Sequence, residues 1–294
     1  MKVYLDCLPC FLRQALAAAR RVTADEWKQR EVVDEVASAI PSFPLDATPI
    51  DLGREVYRIV RETTGIDDPY REVKRSHNDR VIALLPQLRE EVESSSDPML
   101  TAFQLAAAGN MIDFGVHSTV DLHGAIGKGL EDGEGMVDYP LLRERLECIG
   151  DVLYLGDNAG EIVLDKLVVE QLVHLGKRVT FVVRGRPIIN DVTAEDAAYV
   201  GLEDVAKVIS SGSDGPGTTL ARGEPEFVDA FRRAGLIVSK GQGNFEGLSD
   251  EPAPLFFLLK VKCPVVAREL GVEIGKSILR AQNEGAGVGG SART

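Results

Sequence analysis

The stretch "DVLYLGDNAGEIVLDKLVVEQLVHLGKRVTFVVRG", residues 151–185, sets the architecture of the chain. Two short apolar runs, 151–156 and 178–185, have the length and Val, Leu and Phe content of buried strands, and a helix-sized interval, 160–175, lies between them. Strand, helix and strand in that order make a parallel crossover unit. The rhythm continues with "AKVISSG" (206–212), "GLIVSKG" (235–241) and "CPVVARE" (263–269), again spaced by helix-sized intervals. The pattern predicts an α/β fold, a parallel-rich sheet with helices on both faces.

Upstream the rhythm is different. Leu8, Phe11, Leu12, Ala15 and Leu16 recur at three- and four-residue steps, as do Val32, Val33, Val36 and Ile40, while Pro41, Pro44, Pro49, Pro69 and Pro98 mark connections. The expected organisation is an all-helical N-terminal domain (1–108), a Gly-, His- and Asp-rich cleft-lining segment (109–147), the α/β domain (148–282) and a Gly-rich flexible tail (283–294). The 294 residues suffice for a large core without staples. A formal net charge of −13 argues against nucleic-acid binding, and no apolar run is long enough for a membrane span. With no signal-peptide pattern and four cysteines only, a cytoplasmic protein is expected.

The predicted strands share one feature. Each of the first four runs into polar or glycine residues: "GDNAGE", "RGRPIINDVT", "SGSDGPGT" and "SKGQGNFE". In open parallel sheets ligands bind beyond the carboxyl ends of the strands, so these tails converge on one crevice. Asp157 and Asn158 follow the first strand and Asp191 the second. Two carboxylates and an amide oxygen form a hard, all-oxygen donor set suited to Mg²⁺ or Mn²⁺, provided that the two strands are neighbours. The structural alternative is that "GDNAGE" and "NDVT" are helix caps. Lys240 and Arg184 could meet an anionic oxygen, and the backbone around Ser210 and Gly212 could approach a phosphate. A cation, an anion cradle and a lysine are the equipment of phosphoryl-group hydrolysis. No G-x-x-x-x-G-K-[ST] or G-x-G-x-x-G follows the first strand.

Together, "DCLPC", "GNMIDFG", "GDNAGE", "RPIINDVT", "SKGQGNFE" and "KCPVVA" cover nearly the whole chain in an order that resembles the DUF89 family of damage-control, ARMT1-like metal-dependent phosphatases, in its shorter branch with an N-terminal Cys pair. The resemblance implies a Rossmann-like three-layer α/β/α domain with a helical N-terminal domain. It further implies a divalent metal (Mn²⁺, Co²⁺, Ni²⁺ or Mg²⁺) on Asp157, Asn158 and Asp191, and hydrolysis of small phosphorylated metabolites. Asp157, Asp191 and Lys240 would be catalytic, by metal-activated water or through an aspartyl-phosphate. Asn110, Asp113, Glu161 and Asn190 match motif positions that would line the substrate side.

Other residues admit several readings. Cys7 and Cys10 form C-x-x-C and, with Cys263, could hold a second metal, act as a redox set or simply pack. His77, His117 and His123 could contact substrate or make structural hydrogen bonds, and Asn78 could face the cleft. Two competing functions are a non-catalytic sensor of phosphorylated metabolites and a methyltransferase using S-adenosylmethionine. The latter lacks its Gly-rich turn here.

Overall fold

The computed structural model describes residues 1–109 and 135–282. Asn110, Asp113, His117 and His123 lie outside the described residues, as does the tail from 283. The helices are α1 (Cys7–Val22), α2 (Glu26–Ala39), α3 (Pro49–Thr64), α4 (Arg71–Ser94), α5 (Pro98–Ala108), α6 (Tyr139–Cys148), α7 (Glu161–His174), α8 (Ala194–Tyr199), α9 (Pro225–Arg233), α10 (Gln242–Leu248) and α11 (Pro264–Leu270). The strands are β1 (Asp151–Leu155), β2 (Arg178–Val183), β3 (Lys207–Ser210), β4 (Ile237–Lys240), β5 (Leu255–Lys260) and β6 (Ser277–Ala281). They form one sheet in the order β3-β2-β1-β4-β5-β6, parallel except for β6.

That order reverses direction between β1 and β4, and the reversal opens a crevice at their carboxyl ends. One sheet face is covered by α4, α5, α6 and α7 in a common apolar core that includes Phe103, Leu142 and Leu164. The other is covered by α9, α10 and α11, around Phe227, Leu248 and Val266. Helices α1, α2 and α3 keep a third core of their own, with Phe11, Val36 and Val56 at its centre. Helix α7 shows why its sequence lacks the one-sided pattern of a surface helix: ten of its residues, Glu161 to Val169 and Leu172, are buried between the sheet and the α4–α5 layer.

One predicted strand is corrected. Residues 263–269 are not extended; Pro264 occupies the first turn of α11 and the Cys263 thiol accepts from the Val266 amide at its N-terminus. Proline suits a first helical turn and has no N–H to give a central strand. The fifth parallel strand is instead "LFFLLK", which pairs with β4 on one side and antiparallel β6 on the other. Among the described residues no helix is long and apolar enough to cross a membrane.

Candidate active site

Strands β1 and β2 are parallel neighbours, which brings their tails together: Asn158 and Asp191 form a short antiparallel bridge beyond the sheet, and the Val192 amide donates to the Asp157 carbonyl at 2.8 Å. The cap reading fails for "GDNAGE" and holds for "NDVT", where the cap is Thr193. Helix α7 begins after Gly160, at φ +83°, and Asn78 of α4 accepts from the Gly160 amide at 2.6 Å. Thr193, not Asp191, caps α8, in a reciprocal box with Asp196. Asn78 is thus buried behind the loop and does not face the cleft.

The side chains of Asp157, Asn158 and Asp191 converge at the floor of a cavity of about 810 Å³, together with Glu161 and Asn190. Asn158 donates through Nδ2 to Asp157 at 2.7 Å and to Glu161 at 2.9 Å. Beneath the floor lie two fully buried cations. Arg184 donates to Asp191 at 2.7 Å and to Thr218 at 2.7 Å, and stands 3.7 Å from Asp157. Lys240 donates to the Ala106 carbonyl at 2.7 Å and pairs with Asp165 at 3.0 Å and Glu161 at 3.3 Å.

Four buried carboxylates, Asp157, Glu161, Asp165 and Asp191, therefore share two buried cations. The deficit shows in their acidity. Burial, then the neighbouring Asp191 and Glu161, push the Asp157 carboxyl up to about 8. Burial also raises Asp191 against the pull of Arg184, and lifts Asp165 to about 6 against that of Lys240. Burial alone would lower the Lys240 ammonium, but Asp165 and Glu161 outweigh it and raise it.

This geometry corrects four expectations. Lys240 and Arg184 do not line the cavity; Lys240 donates to the Ala106 carbonyl and Arg184 to Asp191 and Thr218 beneath it, while the second terminal nitrogen of Arg184 is buried without a hydrogen-bond partner. Ser210 and Gly212 are not a phosphate cradle: the Ser210 hydroxyl accepts from the Gly212 amide at 2.9 Å, and neither residue lines the cavity. The 210–218 loop turns its polar groups inward, with the Ser213 hydroxyl on the Gly217 carbonyl at 2.6 Å and Thr218 holding Arg184. A cation that sequence reasoning passed over does line the cavity. Lys262 follows β5 and lies near enough to pull Asp157 and Asp191 toward ionisation.

The thiols lie to one side. Cys7 and Cys10 open α1, and Cys10 accepts from Gln14 at 3.4 Å while Cys263 accepts from Gln242 at 3.6 Å. Burial, then Glu246 and the other two thiols, raise the Cys7 thiol against a backbone hydrogen bond that lowers it. All three are free. Among the described residues no three or more His, Cys, Asp or Glu side chains form a metal cage, so a closed zinc site is not assembled from this trio.

Gly241 fixes how close β4 comes to the acidic floor. Its φ is +85°, and a Cβ there would overlap the Asp157 carboxylate. Gly241→Ala is expected to lower stability by about 1–3 kcal/mol from the backbone conformation alone, since φ +85° with ψ 160° is a region essentially confined to glycine. Thermal unfolding and metal titration of the variant check this, the second showing displacement of Asp157 as weakened binding.

Comparison with known proteins gives a consistent result. A family model described as the damage-control phosphatase ARMT1-like domain matches residues 3–278. A damage-control phosphatase of Archaeoglobus fulgidus is 36% identical over 290 residues, covering 95% of this chain and 99% of its own length. Damage-control phosphatase PH1575 of Pyrococcus horikoshii is 33% identical over 94% of this chain and 96% of its own. The crystal structure of a DUF89 family protein from P. horikoshii superimposes with a TM-score of 0.89 at 32% identity, covering 96% of this chain and 100% of that one.

Proposed function

The chain belongs to the damage-control phosphatase ARMT1-like (DUF89) family, and from that premise we propose that it is a phosphatase that hydrolyses small phosphorylated metabolites with the aid of a divalent metal ion held by Asp157, Asn158 and Asp191. The observation that carries the metal is the charge imbalance at the cavity floor: four buried carboxylates share two buried cations, and Asp157 keeps a proton up to about 8 that a divalent ion would displace. The donor set of Asp157, Asn158 and Asp191 is all oxygen, which suits a hard ion that keeps several waters. Mn²⁺ and Mg²⁺ are the first candidates, with Co²⁺ and Ni²⁺ as alternatives.

When bound, such an ion supplies a Lewis acid to a phosphoryl oxygen and makes a water more acidic. The protein's own residues do the rest. Asp157 or Asp191, exposed to the cavity at one edge, orients the attacking water and takes its proton. Lys262 at the rim neutralises phosphoryl charge as the ester bond breaks. Lys240 and Arg184 act from beneath: one holds Glu161, the other Asp191, in fixed orientations. Asn158 ties Asp157 to Glu161.

The test is phosphate release from p-nitrophenyl phosphate and a panel of sugar phosphates, with each divalent ion or with EDTA. Release that EDTA abolishes and metal restores is expected; release that EDTA leaves intact overturns the metal's role. The raised Asp157 acidity gives a second check. Metal binding must displace the Asp157 proton, so metal affinity measured by calorimetry is expected to rise by about tenfold per pH unit below about 8 and to level off above it.

A further inference from the structure

The cavity in front of Asp157 and Asp191, at about 810 Å³, is far larger than a phosphoryl group needs, so its opposite wall meets the rest of the substrate. Helices α1 and α4 build that wall. Along α4, Val73, Ser76, His77 and Arg80 recur at three- and four-residue steps and turn one common face to the cavity. The adjoining face, with Asn78, Val81 and Leu85, is buried against the protein. From α1, Phe11, Gln14 and Arg21 reach the same space. Arg21 and Arg80 thus line the helical wall together with Glu72.

Many, though not all, of the arginines in this acid-rich chain are tied in ion pairs. Arg30, Arg54, Arg58, Arg89 and Arg178 each hold a carboxylate. Among the described residues Arg21 forms no ion pair; its guanidinium lies over the Tyr70 ring, 4.7 Å from the centroid. A ring beneath a guanidinium holds it by its face and leaves the five edge N–H donors for an anion. The cavity is therefore cationic at two places, with Lys262 beside the acidic floor and Arg21 with Arg80 on the helical wall.

We propose that the substrate carries a second anionic group, a phosphate or a carboxylate, which Arg21 and Arg80 bind while the scissile phosphoryl group lies at Asp157 and Asp191. This assignment rests on the phosphatase reading and narrows its substrate class to bisphosphates and phosphorylated acids. A guanidinium recognises both groups by paired N–H donors, and the interaction is charge-assisted.

The experiment compares kcat/KM of the metal-loaded full chain for matched pairs: a hexose monophosphate with a hexose bisphosphate, and glycerol phosphate with phosphoglycerate. The substrate with two anionic groups is expected to be preferred by about tenfold or more, mainly through KM. In Arg21→Gln and Arg80→Gln that ratio falls toward one, while Arg30→Gln, a surface arginine paired with Asp34, keeps it. A ratio near one in the wild type, or a ratio unaltered in both variants, overturns the assignment. If no substrate is hydrolysed, p-nitrophenyl phosphate included, the phosphatase reading has failed by itself. Calorimetry of the bisphosphate on the metal-loaded protein then decides: binding weakened about tenfold by Arg21→Gln upholds the anion subsite, and binding that is absent or unchanged by the substitution rejects it.

Discussion

Lys240→Met is expected to destabilise the protein by about 3–5 kcal/mol, because it removes the one buried cation that Glu161 and Asp165 share and leaves two carboxylates uncompensated. The methionine fills much of the lysine's volume, so the loss is electrostatic rather than a cavity effect. The Ala106 carbonyl loses its donor as well. Because Asp165 also accepts from the Tyr154 hydroxyl at 2.8 Å, a proton taken up by Asp165 can partly relieve the strain. The expected signature is therefore pH-dependent: the variant's deficit in denaturant unfolding is smallest in acid, where the carboxyls are protonated, and grows as the pH rises. A deficit under about 1 kcal/mol at neutral pH would show that Lys240 is not the counter-ion of this layer. Lys240→Arg is not a rescue, since the larger planar head has no room at zero exposure.

What the sequence revealed and what it withheld divide along a physical line. Strands β1 to β4 were legible because each is a short apolar run ending in glycine or polar residues, and the convergence of their tails follows from parallel topology. Asp157, Asn158 and Asp191 were legible for the same reason, since adjacency of β1 and β2 is enough to bring them together. Depth was not legible. Lys240 and Arg184 sit at strand tails as expected, yet their partners are Ala106, Asp165 and Thr218, which no local spacing connects to them. A lysine or arginine in a glycine-flanked tail looks exposed until the groups that bury it are known. The fifth strand was misplaced onto "CPVVARE" because two valines outweighed Pro264 in that reading, and the error hid Lys262. Placed on "LFFLLK", the strand would have ended two residues before Lys262, putting that lysine among the other tails at the crevice.

Asp157→Asn separates the site's chemistry from its contribution to the fold, because the two effects have opposite signs. Phosphate release is expected to fall by at least about a thousandfold, since the amide can neither carry the charge that holds a cation nor take a proton from water. Stability without metal is expected to rise. In the folded protein burial and two neighbouring carboxyls hold Asp157 at about 8, well above its value in the unfolded chain, so the native state keeps a proton that the unfolded state gives up. The stability tied to that proton is full below the unfolded value and drains away as the pH climbs to about 8. Asparagine has no proton to lose and nearly the same shape. The variant's melting temperature should therefore match the wild type's near pH 4 and exceed it by a growing margin up to about pH 8. Adding Mn²⁺ reverses the order, because only the wild type gains the binding free energy of the ion. A variant that melts below the wild type in EDTA at pH 8 would mean that Asp157 is already balanced by Arg184 and Lys262, and the case for a divalent ion from charge deficit would fall with it.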